Sequence, residues 1–170
     1  MANISALCLT YLLLDPFCNG LCGEQTSIPN LIESYPFVSY AARNWGEHVQ
    51  EHEQAPLVWA LAVQFLANHQ ATACSHQILQ HGKAHREIYW TPKECYSVNA
   101  LHMANNFGLN KLVVTFLSQN MFKMNATTTI GTTAAILAAS AAMLPLSELY
   151  YKKVRSIPGE LVRQCPPLGR

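Results

Sequence analysis

Six cysteines and seven histidines are the side chains of this 170-residue chain best equipped for chemistry, and their spacing limits what they can do. Cys18 and Cys22 stand four apart, as do His48 and His52, and the two pairs together contain the donors of a Cys2His2 zinc site. His81 and His85 repeat the histidine spacing, which on a helix puts both rings on one face, but Gly82 falls inside the pair. The two Cys and His pairs fit no standard zinc-finger spacing. The plainer expectation is that His48 belongs to a packed helix motif, that His52 is exposed, and that the cysteines are loop or core residues. Cys74 and His76 look like nucleophile and base, yet residues two apart on a helix point to different sides and cannot share a proton. Glu47, Glu51 and Glu53 form an acidic patch near a helix end, expected as solvated surface. The residues therefore predict no enzyme, no cofactor and no metal, with zinc on Cys18, Cys22, His48 and His52 as the alternative.

Composition narrows the partners. Half of the chain is apolar and only 12% is charged, about half the usual share, so much of the surface must be neutral or covered. Eleven basic and ten acidic side chains leave +1, without a long run of either sign, which argues against nucleic acid or an anionic membrane. The cysteines, at 8, 18, 22, 74, 95 and 165, are too sparse for a disulfide scaffold and read as mostly buried thiols in a reducing, cytoplasmic setting. The apolar stretch near the amino end lacks a preceding Lys or Arg and is cut by Asp15-Pro16; a signal peptide over residues 1–23 stays open as the alternative. The apolar run 132–146 is shorter than the ~20 residues that span a bilayer and ends near Pro145, so a buried helix is expected.

The elements that must position these residues read as helices. Ile4, Leu7, Cys8, Tyr11 and Leu12 recur at three and four, predicting a helix over 4–14 that Asp15-Pro16 ends, followed by a loop over 16–34. Pro36 suits a first helical turn, after which Phe37, Tyr40, Ala41, Asn44, Trp45 and His48 share a stripe. Its rings are packing knobs, and its alanines admit a close neighbour. Pro56 opens a predicted helix to about Gln80, apolar over a wide arc in its first half. Two pairs of short helices follow, and no stretch alternates as a strand does, so the predicted class is all-α.

The carboxy-terminal half echoes itself. Ala100, Leu101 and Ala104 align with Ala134, Ala135 and Ala138 at an offset of 34. The first copy resembles an ankyrin repeat through Leu101, His102, Ala104 and Gly108, with Leu112, Val113, Phe116 and Leu117 on its second helix. Asn120 stands where a left-handed glycine would, and Asn99-Ala100 stands where that family has Thr-Pro. In the second copy Gly131, Thr133, Ala138 and Ala139 match. Upstream, the Cys8-Leu9-x-Tyr11-Leu12 helix and the segment from Tyr35-Pro36-Phe37 through Tyr40-Ala41-Ala42 to Trp45-Gly46-x-His48 resemble the helical connector that precedes the ankyrin array in fungal NACHT-type signalling ATPases. No Gly-x-x-x-x-Gly-Lys-Ser/Thr phosphate loop is present, so the resemblance implies a truncated relative without its ATPase.

The resemblance implies three parts: a connector over 1–90, two degenerate repeats over 91–152 and an irregular tail over 153–170. It also implies a non-catalytic module that binds a protein partner, or its own kind, through the turn tips and the concave face of each first helix. By alignment those positions are Cys95, Tyr96, Val98, Asn106 and Phe107, then Thr129, Ile130, Thr132, Ser140 and Ala141. Tyr96 and Phe107 are the expected anchors; the alternative for both rings is packing within the stack. Two imperfect copies are too few to stand alone, so they are expected to lean on the upstream helices.

Overall fold

A computed structural model describes residues 4–18, 27–81, 97–129 and 131–140; the expectations for Cys22, His85, Cys95, Tyr96, Ile130, Ala141 and the tail 153–170 lie outside the described residues. The chain is all-α: the described residues form helices and connecting turns, with one isolated antiparallel β-bridge between Thr127 and Thr133. In chain order the helices are α1 (Ile4–Leu12), α2 (Asp15–Cys18), α3 (Ser27–Ser34), α4 (Phe37–His52), α5 (Pro56–Ala67), α6 (His69–His81), α7 (Ala100–Asn106), α8 (Asn110–Ser118) and α9 (Ala134–Ser140).

Helices α1 and α4 run antiparallel, because Tyr11 meets Phe37 at one end while the Ser5 hydroxyl donates to the His48 carbonyl, 2.7 Å away, at the other. The aromatic-rich start of α4 has its explanation here. Rings of Tyr35, Phe17, Tyr11, Phe37, Tyr40 and His48 touch in succession, with centroid separations between 5.1 and 5.9 Å. Ala41, Ala42 and Gly46 let helices approach closely, and Trp45 at their centre is fully buried. α5 packs on α1, α6 packs on α2 and α4, and both α5 and α6 reach α7. One contiguous apolar cluster extends from Cys8 to Ala134, with Ala135 packed against it.

Two sequence expectations are corrected. The helix foreseen from Pro56 to Gln80 is two helices, parted at Asn68 (φ −84°, ψ 95°). The reason lies in that side chain: Asn68 Oδ1 accepts the amides of Gln70 and Ala71 at 3.1 and 3.0 Å, which makes it the N-cap of α6. The segment 16–34 is not all loop, since Pro16 sits in the first turn of α2, where it needs no amide hydrogen, and α3 follows.

Candidate interaction surface

The region that could meet a partner is built on α7, α8 and the turn segment 121–133. Asn99, extended at φ −101°, caps α7: its Oδ1 accepts the His102 amide at 3.1 Å while its own amide donates to His102 Nδ1 at 3.2 Å. The helix ends on Gly108 (φ 68°), where the Leu109 amide returns to the Ala104 carbonyl and the Gly108 amide to Asn105. α8 ends in the same way on Asn120 (φ 53°), with Met121 bonded back to Phe116 and Asn120 to Leu117. Gly108 turns the chain sharply between α7 and α8, which pack on each other as a helix–turn–helix hairpin.

A second helix start lies 34 residues on. Thr133 Oγ1 accepts the Ile136 amide at 3.2 Å, repeating the bond from His102 to Asn99 at the same offset. α7 packs against α9; Leu101 is fully buried and Ala135, its counterpart, is half-buried against the shared core. Between them the chain makes a tight tip: Thr128 N–H to the Thr132 carbonyl at 2.9 Å, Thr132 N–H to Thr128 Oγ1 at 3.1 Å, and Gly131 at φ 78°. His102 ties this tip down, its Nε2–H donating to the Thr132 carbonyl at 3.2 Å.

Of the positions expected to bind, Asn106 and Thr129 are exposed, and Thr129 N–H donates to Ser97 Oγ at 3.2 Å. Val98 is half-buried against the core, and Thr132 is half-buried and held by His102. Ser140 closes α9, but its side chain lies outside the described residues. Phe107 takes the packing alternative: its ring meets Trp45 edge to face, centroids 4.8 Å apart, and lies over Gly46, where a Cβ would collide with it. The exposed tip side chains at Lys123, Asn125, Thr127 and Thr129, with Asn106 across the hairpin, are what a partner could reach.

The chain matches no family model, no curated protein and no solved structure.

Among the described residues the proposed zinc donors are not gathered, and Cys22 lies outside them. Cys18 Sγ donates to the Leu13 carbonyl, whereas His48 and His52 sit beside Ser5. Eight residues of helical rise, about 12 Å, separate the two ends, so Cys18 cannot share an ion with those histidines. The histidines are also occupied apart: His48 Nε2 pairs with the Tyr40 hydroxyl at 2.9 Å, and His52 Nδ1 with the His48 carbonyl at 3.1 Å. Burial pushes the Cys8 thiol up; burial and the Asp15 charge push Cys18 up against a lowering hydrogen bond with Asn68. Neither is the activated thiolate that a nucleophile requires.

Sequence reasoning missed Glu53. Its sequence context groups it with Glu47 and Glu51 as solvated surface, but only those two are exposed; Glu53 is 9% exposed and its Oε1 accepts the Leu112 amide at 3.0 Å. Leu112 is the third residue of α8, whose own N-cap, Leu109, has no side-chain acceptor. A carboxylate from the end of α4 thus satisfies the first turn of a helix 59 residues away. Nothing local in the sequence signals that pairing beyond the missing cap at Leu109.

Proposed function

We propose that the chain is a non-catalytic protein–protein interaction module, in which an amino-terminal helical connector carries two degenerate ankyrin-like repeats, related to the connector and repeat portions of the fungal NACHT–ankyrin signalling proteins. The observation that carries the reading is the repeated cap geometry at an offset of 34, which holds an exposed turn tip between two packed helices. The ankyrin-like features gather there: a capped first helix with its histidine, two left-handed helix ends and a short antiparallel tip. Side chains at the tip are free to serve recognition because the core does not use them. Phe107 serves as an internal anchor, so recognition falls to the tip and to Asn106. A cytoplasmic setting belongs to the same reading, in keeping with the free thiols of Cys8 and Cys18.

The test is capture of a partner, or of a second copy of the chain, from an extract of the native host. Asn106→Arg together with Thr129→Arg should abolish capture while helix content and Tm stay unchanged, since both positions are exposed. Capture that survives both changes places the surface elsewhere.

A further inference from the structure

We draw no further inference here: the strongest candidate, the uncharged outer faces of α1 and α5, where Leu7 and Leu57 are exposed, is an apolar surface for which nothing in the structure shows what covers it.

Discussion

The carboxylate of Glu53 lies 3.0 Å from the backbone amide of Leu112, and through that bond the end of α4 caps the start of α8. A second tie, Phe107 seated over Gly46 and against Trp45, joins the same two parts of the chain. The α7–α8 hairpin is therefore built onto the amino-terminal bundle at two points.

Removal of the cap should be felt by the whole domain. Glu53→Ala is expected to lower unfolding free energy by about 1–2 kcal/mol, measured by urea denaturation. Glu53→Gln keeps an acceptor and should cost about half as much. Glu47→Ala and Glu51→Ala, at exposed positions on α4, should stay within about 0.5 kcal/mol of the native chain. Equal effects at all three positions would show that Glu53 is ordinary surface.

Asn99 caps α7 through its side-chain oxygen. Asn99→Ala should therefore cost about 1 kcal/mol, and Asn99→Thr, which restores an acceptor, should recover most of it. Thermal unfolding of the two variants side by side checks this; indistinguishable Tm values would remove the cap from the account.

Asn120 is the described non-glycine residue with a positive φ, 53°. Asn120→Gly should be neutral or slightly stabilising, whereas Asn120→Val, β-branched in a left-handed turn, should lose about 1–2 kcal/mol. Denaturation midpoints of the pair separate a true left-handed cap from a tolerant loop.

What could be read in the sequence were the features that depend on local rules. The three-and-four periodicity of Ile4 to Leu12, the prolines at 36 and 56 and the left-handed role of Asn120 each reflect the chain's preference over a few residues, and each reappears in the structure; of the 34-residue echo, the described residues show helix starts at Ala100 and Ala134. The break at Asn68 escaped because asparagine is tolerated inside helices as well as at caps, and only the bonds to Gln70 and Ala71 decide between them. Glu53 escaped because its partner is remote in sequence, and a carboxylate on a helix end looks the same whether it meets water or another helix. Phe107 admits two roles in the sequence for a similar reason. The notch that receives it is made by Gly46, a residue whose local cost to α4 is visible in sequence while its benefit to a distant ring is not.

The dependence of the hairpin on the bundle is tested most directly by a double-mutant cycle at Gly46 and Phe107, read as unfolding free energy. An alanine in place of a mid-helix glycine ordinarily stabilises by up to about 1 kcal/mol, but here its Cβ must displace the Phe107 ring. Gly46→Ala should therefore destabilise the native chain, by about 1–2 kcal/mol, and become stabilising once Phe107→Ala has emptied the notch. That reversal of sign is the predicted result. An effect of Gly46→Ala that is the same in both backgrounds would mean that the two residues do not touch in solution, and would contradict a hairpin anchored on the bundle.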